Sequence, residues 1–248
     1  MRRGLPLIII PARMQARRLP NKPMADIIGK PMIVHMVECA QAANLGQVMV
    51  ATDHQDIWDA ATKAGAKAVM TDSDLPSGSD RIMAALNEVD PNGAHDVIIN
   101  LQGDMPTCTP EVIQTVAGVL ADHPTADIAT LVAPIDDKDE ITNDAVVKAD
   151  VDWEDDRQGI ANDFMRTPVA GTQQQYHHVG IYAYRRQALE TFVSLPQSAL
   201  EQKRKLEQLR AMEHGMTIAV GKIDAAPLGV DTPQTLEQVR KQLSSIAK

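Results

Sequence analysis

Leu5-Pro6-Leu7-Ile8-Ile9-Ile10-Pro11 is a short, continuous apolar run, and it decides how the rest of the chain is interpreted. A run of this kind, rich in isoleucine and ended by proline, is typical of a strand that is buried on both faces of a parallel sheet. Similar runs return along the chain. They predict strands at Leu5–Pro11, Gln47–Thr52, Ala66–Met70, Asp96–Leu101, Asp127–Val132 and Thr217–Val220.

Segments between these strands repeat their apolar residues at helical spacing. The sets are Met32, Ile33, Met36, Val37 and Ala40, then Ile82, Met83, Leu86 and Val89, then Val112, Ile113, Val116 and Val119. The order strand, helix, strand predicts right-handed crossovers and an α/β fold with a mostly parallel, doubly wound sheet. Such sheets bind ligands in the loops at the carboxyl ends of their strands, so we expect the site there.

The alternation of strand and helix patterns is less regular between about residues 134 and 184, where acidic residues cluster at Asp136–Glu140 and Asp152–Asp156. We expect these clusters to be solvated surface. The stretch is interpreted as a smaller lobe inserted into a single domain that spans residues 1–248. Two further helices are predicted at Ser198–Glu213 and Pro233–Ile246, the second with proline just inside its start.

The composition narrows the classes of partner. With 24 Lys and Arg against 33 Asp and Glu, the net charge of -9 argues against nucleic acid, because the phosphate backbone needs a basic face. Cys39 and Cys108 match no metal-binding spacing and predict buried thiols in a reducing compartment, so we expect a cytoplasmic protein. The first apolar run is too short for a signal peptide or a membrane span, and no membrane partner is expected.

The first predicted strand leads into a basic loop that contains Arg13, Arg17, Arg18 and Lys22. Backbone amides at a strand end, aided by Arg and Lys, suit a polyphosphate, whose several negative charges need partners at fixed positions. The alternative is a solvated basic loop. Neither Gly-x-x-x-x-Gly-Lys nor Gly-x-Gly-x-x-Gly occurs, so both standard nucleotide-binding motifs are absent.

Two acidic residues follow later strand ends. Gln102-Gly103-Asp104 places an amide and a carboxylate just past the fourth strand, with a glycine that permits close backbone approach. Mg²⁺ accepts few protein carboxylates and takes its other ligands from phosphate and water, so Asp104 is a candidate ligand, with a simple turn as the alternative. Asp231 is a second candidate, with a helix N-cap as the alternative.

Histidines also fall near predicted strand ends. His54 follows the second strand, and His177-His178 begins a strand whose alternation puts His178, Gly180, Tyr182 and Tyr184 on one face. Because adjacent histidines point to opposite faces of a strand, they predict no zinc site, and no His-Glu-x-x-His occurs. Serine nucleophile chemistry is also disfavoured, since no Gly-x-Ser-x-Gly elbow is present.

Taken together, segments along almost the whole chain resemble the 3-deoxy-manno-octulosonate (Kdo) cytidylyltransferases, also called CMP-Kdo synthetases. The resemblance is carried by Ile8-Ile9-Ile10-Pro11-Ala12-Arg13, Arg18-Leu19-Pro20-Asn21-Lys22-Pro23, Gly29-Lys30-Pro31-Met32-Ile33-Val34-His35, Val50-Ala51-Thr52-Asp53-His54, Ser77-Gly78-Ser79-Asp80-Arg81, Gln102-Gly103-Asp104, His178-Val179-Gly180-Ile181-Tyr182-Ala183-Tyr184-Arg185, Lys205-Leu206-Glu207-Gln208-Leu209-Arg210 and Gly229-Val230-Asp231-Thr232-Pro233.

The resemblance implies a nucleotide-diphospho-sugar transferase-like fold, a homodimer, and attack of the anomeric hydroxyl of Kdo on the α-phosphorus of CTP. The products would be CMP-Kdo, for lipopolysaccharide, and pyrophosphate. Nucleotide-binding positions of the family match Pro11, Ala12, Arg13, Arg18, Lys22, Ser77, Arg81 and Gln102. The Mg²⁺ positions match Asp104 and Asp231, which with Arg13 and Lys22 form the expected catalytic set. The sugar-binding positions match Gln102, Arg166, His178, Tyr182, Glu207 and Gln208, with Arg166 or His178 as the carboxylate partner.

Some residues depart from the family's pattern. Ala16-Arg17 replaces small hydroxyl residues, Asn21 replaces a glycine, and Arg166-Thr167-Pro168 shortens an Arg-Ala-x-x-Pro motif. The divergent stretch around Arg166 leaves an 8-amino analogue of Kdo as an alternative sugar, and sialic acid is a further rival substrate. The altered loop and the shortened motif leave a non-catalytic paralogue that binds nucleotide or sugar as the rival function. Because two carboxylates facing one cation repel each other without it, we expect a neutral substitution of either aspartate to leave stability unchanged or raise it.

Overall fold

Two compact units make up the chain, Met1–Gln114 with Pro227–Lys248 and Thr115–Ala226. The computed structural model describes residues 4–15, 18–135, 137–167 and 174–246. Ala16 and Arg17, and Pro168 of the shortened motif, lie outside these ranges. The predicted lobe at 134–184 lies within the second unit.

The first unit is built on parallel strands in the order β5-β4-β1-β6. Its elements are β1 (Leu7–Ala12), β2 (Asp26–Ile27), β3 (Lys30–Pro31), α1 (Met32–Ala42), β4 (Gln47–Thr52), α2 (Gln55–Lys63), β5 (Lys67–Met70), α3 (Gly78–Val89), β6 (Val97–Leu101) and the start of α4 (Pro110–Asp122). Leu7, Ile8, Ile9 and Ile10 are fully buried, as expected for a strand covered on both faces.

The second unit contains a mixed sheet. Its elements are β7 (Ile128–Ala133), α5 (Lys138–Thr142), β8 (Lys148–Trp153), β9 (Gln158–Met165), β10 (Tyr176–Arg185), α6 (Arg186–Ser194), α7 (Ala199–Arg204), α8 (Gln208–Glu213) and β11 (Ile218–Lys222). β11 runs parallel to β7, whereas β10 with β7, β11 with β9, and β8 with β9 are antiparallel. This unit departs from the parallel pattern, because β8 and β9 form a hairpin rather than a crossover. α9 (Pro233–Ile246) belongs to the first unit, at the predicted bounds.

The acidic clusters largely follow the prediction of solvated surface. Asp152 and the residues of the β8–β9 turn, Glu154–Asp156, are exposed. Asp137 and Asp139 are also exposed, whereas Glu140 is half-buried, and Asp136 lies outside the described ranges.

A single helix at Ser198–Glu213 is a wrong prediction, since the chain breaks it into α7 and α8. Lys205 ends α7 in the left-handed conformation, with φ 56°. Arg210 then donates two hydrogen bonds to the buried Glu201 carboxylate, at 2.8 and 2.7 Å. On one continuous helix these residues would lie about 2.5 turns apart on opposite faces, so their ion pair requires the break.

The two cysteines are close to each other within the first unit and form no disulfide. The Cys39 thiol donates to the Cys108 carbonyl oxygen at 3.0 Å. Cys108 is buried as predicted, whereas Cys39 is only half-buried. Within the described ranges, no helix combines the length and the apolar character needed to cross a membrane.

Candidate functional site

A cavity of about 480 Å³ in the first unit lies where β1 and β6 end and α3 begins. It is lined by every residue that the sequence assigned to nucleotide or metal: Pro11, Ala12, Arg13, Arg18, Lys22, Ser77, Arg81, Gln102, Asp104 and Asp231. Gly103, predicted to permit close backbone approach, also lines it, and so do residues to which the sequence assigned no role: Leu19, Pro23, Leu75, Pro76 and Gly78. These are apolar residues or glycines, and their side chains carry no chemical pattern that points to a ligand.

The backbone at the end of β1 approaches the loop after β6 closely. A Cβ placed at Gly103 would lie 3.1 Å from the carbonyl oxygen of Pro11, closer than a side chain usually tolerates. Gln102 donates its amide to Asn100 Oδ1 at 2.9 Å, which orients the side chain at the strand end. The glycine before Asp104 therefore permits close approach, as predicted.

Lys22 connects the basic and acidic sides of the cavity. Its Nζ donates to Asp104 Oδ2 at 2.8 Å, to the Val230 carbonyl oxygen at 3.0 Å and to Asp231 Oδ1 at 3.4 Å. Arg18 Nη2 lies 3.0 Å from the same Asp231 oxygen. The two carboxylates therefore face one ammonium group and lie close together.

Asn21 explains one departure from the family pattern. It precedes a 3₁₀ turn at Lys22–Met24 and has φ 56°, in the left-handed region. Asparagine tolerates this region better than most residues other than glycine. The replacement of the family's glycine by Asn21 therefore keeps the backbone path that presents Lys22.

Backbone hydrogen bonds bring the loops of Asp104 and Asp231 together. The amide of Val230 donates to the carbonyl oxygen of Asp104 at 2.8 Å, and that of Leu228 donates to Thr107 Oγ1 at 2.6 Å. These contacts hold the stretch before α9 against the stretch after β6. Residues far apart in the chain thus supply adjacent carboxylates.

The N-cap alternative for Asp231 is wrong, because Thr232 caps α9. Thr232 Oγ1 accepts from the amide of Thr235 at 3.2 Å, and Thr235 Oγ1 accepts from the amides of Asp231 and Thr232 at 2.9 and 3.0 Å. The Asp231 carboxylate is directed instead to Lys22 and Arg18.

Asp104 and Asp231 are compatible with a magnesium ion that shares its ligands with phosphate. Mg²⁺ typically takes one or two carboxylates and completes its shell with water and substrate phosphate. Their side chains are 34% and 47% exposed, so ligands can reach them. Over the described ranges, no three His, Cys, Asp or Glu side chains form a group that could hold a metal alone.

Our expectation of electrostatic strain between these aspartates needs correction. Lys22 contacts both carboxylates, and Arg18 contacts Asp231 as well. These cations offset the repulsion, so a neutral substitution removes ion pairs rather than relieving strain.

Ser77 and Arg81 line the cavity from the start of α3. Ser77 caps α3, accepting from the amide of Asp80 at 3.1 Å and donating to its carboxylate at 2.6 Å. Arg81 is 3% exposed, and burial lowers the pKa of its guanidinium. Its guanidinium contacts Thr71 Oγ1 and Asp53 Oδ2. His54 lies outside this group and caps α2, where its Nδ1 accepts from the amide of Asp56 at 3.2 Å.

His178, in the second unit, is buried on β10. Thr130 Oγ1 donates to the Ile181 carbonyl oxygen at 2.8 Å and lies 3.0 Å from His178 Nε2, from which it accepts. Burial, with a smaller effect of His177, lowers the pKa of His178 to about 3. The imidazole is therefore neutral near pH 7, and of the two predicted carboxylate partners Arg166 is the one that carries a positive charge.

Among the other sugar-side candidates of the second unit, Arg166 follows β9, Tyr182 lies on β10, and Glu207 and Gln208 lie at the start of α8. Arg166 donates to the carbonyl oxygens of Asp144 at 2.9 Å and Lys205 at 3.4 Å. Burial, then Tyr184 and Glu207, raise the pKa of Tyr182 well above its ordinary value. The rings of Tyr182 and His178 are 5.5 Å apart. Gln208 is buried on α8, and Gln102 belongs to the first unit.

Known proteins of one family match this chain along almost its full length. Residues 7–218 match the family model described as Cytidylyltransferase. A protein of Paramagnetospirillum magneticum is 51% identical over 242 residues, covering 97% of this chain and 98% of its own, and is named 3-deoxy-manno-octulosonate cytidylyltransferase. The chain belongs to the 3-deoxy-manno-octulosonate cytidylyltransferase family.

Two further members of this family support the assignment. A Parvibaculum lavamentivorans protein of the same name is 52% identical over 242 residues, 97% of this chain and 93% of its own. The solved structure of CMP:2-keto-3-deoxy-manno-octonic acid synthetase complexed with CTP matches with a TM-score of 0.89 and 38% identity, covering 98% of this chain and 100% of that one. The family resemblance and the mixed α/β fold are thereby confirmed.

Proposed function

We propose that this chain transfers the cytidylyl group of CTP to Kdo, releasing pyrophosphate and forming CMP-Kdo for lipopolysaccharide biosynthesis. One observation carries this proposal: a single cavity gathers Arg13, Arg18 and Lys22 with the Asp104 and Asp231 carboxylates. Positioning and charge neutralisation supply most of the catalysis of such transfers, and this set of residues suits both tasks. The names of the relatives supply the pair of substrates.

The basic residues of the cavity would hold the triphosphate. Lys22 and Arg18 already contact the carboxylates, so they lie beside the position where charged phosphate oxygens would enter. Arg13 follows directly after the end of β1 and lines the same cavity. Ser77 and Arg81, at the start of α3, would contact the cytidine.

Asp104 and Asp231 would hold Mg²⁺, which when bound offsets negative charge on the phosphate oxygens. Both carboxylates also orient Lys22 toward the centre of the cavity. Loss of either would thus disturb a cation of the protein as well as the metal.

On the sugar side, Arg166 would pair with the carboxylate of Kdo, since a guanidinium binds a planar carboxylate with two parallel hydrogen bonds. Hydroxyl groups of the sugar would be contacted by Tyr182, Glu207, Gln208 and neutral His178. Gln102 is assigned to both the sugar and the nucleotide. Kdo is favoured over sialic acid or an 8-amino analogue by the names of the relatives. A homodimer in the cytoplasm is a further part of the proposal.

Pyrophosphate release measured with CTP, Mg²⁺ and a panel of acidic sugars tests this function. We expect release with Kdo and much less with sialic acid, and little with UTP or ATP in place of CTP. An 8-amino analogue that outperforms Kdo would change the substrate and keep the reaction. If the protein binds CTP in calorimetry yet releases no pyrophosphate with any sugar, it is a non-catalytic paralogue.

A further inference from the structure

Asp53, directly after β4, holds two different elements with its two carboxylate oxygens. Oδ1 accepts a hydrogen bond from the backbone amide of Met14 at 3.0 Å, at the start of the basic loop Arg13–Lys22. Oδ2 lies 3.5 Å from Nη2 of Arg81, on α3. Only 8% of the Asp53 side chain is exposed, so both contacts are shielded from water.

The sheet register brings these elements to one place. Ala12 of β1 lies opposite Thr52 of β4, so the next residues of the two strands leave the sheet side by side. Thr52 in turn accepts the amide of Thr71 at 2.7 Å, and the Thr71 hydroxyl accepts from Arg81 Nη1. The residues directly after β4 and β5, Asp53 and Thr71, therefore contact this buried guanidinium, and Asp53 also holds the backbone that follows β1.

Asp53 also compensates for positive charge in the cavity. Arg13 and Arg81 line the same cavity, and their like charges repel each other. Burial lowers the pKa of Arg81, Asp53 opposes this shift, and Arg13 adds to it. The carboxylate thus compensates for placing two guanidinium groups in one cavity.

We propose that Asp53 is a positioning residue that fixes the first residues of the basic loop relative to the Arg81 guanidinium. It thereby sets the separation between the end of the cavity that would bind phosphates and the end that would bind the base. This inference rests on the proposed function, in which Arg13 contacts the triphosphate and Arg81 lies at the cytidine.

Asp53→Asn separates the two contacts. The amide oxygen can still accept from Met14, but the amide nitrogen is a donor and cannot accept from Arg81. We expect the KM for CTP to rise about 10- to 100-fold, the scale for loss of a charge-assisted hydrogen bond. The preference for CTP over UTP should fall, while kcat and the KM for Kdo change much less. Calorimetric CTP binding without sugar should weaken by a similar factor.

Thr71→Val is a second variant, which removes the hydroxyl that accepts from Arg81 and keeps the backbone bond to Thr52. It should raise the KM for CTP in the same direction. Asp56→Asn is the matched control. Asp56 lies on α2, its side chain is 66% exposed, and it faces His54, which precedes the helix. All constants of this control should equal those of the wild type.

Two results would overturn the inference: wild-type CTP binding by both Asp53→Asn and Thr71→Val, or a lower melting temperature in Asp53→Asn with unchanged kinetic constants. The second result would make Asp53 a structural residue only. Failure of the proposed function looks different, because the wild-type protein itself would then bind no CTP or release no pyrophosphate.

Discussion

Lys22 is the side chain that contacts the acidic residues of the cavity from its basic loop. Its ammonium contacts two carboxylates and one carbonyl oxygen, and only 18% of the side chain is exposed. The sequence identified Lys22 as one of four cations in a loop, but the choice between a phosphate loop and solvated surface needed the positions of Asp104 and Asp231.

Lys22→Met tests these contacts. It removes a charge beside the proposed triphosphate position, together with the ion pair of Asp104, while Asp231 keeps its contact with Arg18. We expect kcat/KM for CTP to fall about 10- to 100-fold, the scale for loss of a charge-assisted hydrogen bond. Steady-state pyrophosphate release at varied CTP measures it. Lys30→Met is the control, since Lys30 pairs with Glu38 on the surface. Equal kinetics for the two variants would contradict the role of Lys22.

His178 makes folding stability depend on pH. Its folded pKa is about 3, below the ordinary value of 6.5, so between these values the unfolded chain binds a proton that the folded chain does not. The stability it contributes is present above pH 6.5 and is lost as the pH falls. We expect a slope of up to about 1.4 kcal/mol per pH unit between pH 6 and 4.

Denaturant unfolding of the wild type and of His178→Gln across this pH range measures the effect. The variant starts from lower stability, because the site is buried, but its curve should lack this slope. Parallel curves for the two proteins would mean that His178 is protonated in the folded chain.

Among single elements, α9 is preceded by two neighbouring residues that have different roles. Thr232 stabilises the helix end, whereas Asp231 is assigned to the chemistry. Thr232 Oγ1 accepts the amide of Thr235, whereas the carboxylate of the preceding Asp231 faces the cavity. We expect Thr232→Ala to lower the free energy of unfolding by about 1 kcal/mol and to keep most of the activity. Asp231→Asn should change the free energy of unfolding little and lose most of the activity.

Melting temperature and Mg²⁺-dependent pyrophosphate release, measured on both variants, check this assignment. The assignment would be wrong if Thr232→Ala abolished release while Asp231→Asn only lowered the melting temperature.

Elements of the first unit were the easiest to predict. Ile8–Ile10 are apolar throughout and the runs at β4 and β6 are mostly apolar, and such runs have few alternatives to a buried strand. The break at Lys205 was missed because no glycine or proline marks it, and only the tertiary pair of Glu201 with Arg210 demands it. Asp53 was quoted within a motif but received no role, since nothing local connects it to Met14 or Arg81.

At the scale of the whole molecule, the predicted site residues divide between the two units. The nucleotide and metal candidates belong to the first unit, and Arg166, His178, Tyr182, Glu207 and Gln208 belong to the second. The sequence could order these segments but could not predict the mixed sheet of the second unit, because acidic residues interrupt the alternation of its hairpin. We expect the predicted homodimer to be found by size-exclusion chromatography with light scattering.

In the proposed function, cytidylyl transfer depends on Mg²⁺ held by Asp104 and Asp231 in the cavity. The most direct measurement is pyrophosphate release from CTP and Kdo over a Mg²⁺ titration, with wild type and Asp104→Asn compared. We expect Mg²⁺-dependent release by the wild type and loss of at least about two decades of turnover in Asp104→Asn, because Mg²⁺ loses one of its two protein carboxylates. Melting temperature should change little or fall slightly, since the ion pair with Lys22 is partly exposed. Near-normal, Mg²⁺-dependent release by a folded Asp104→Asn variant would contradict the account.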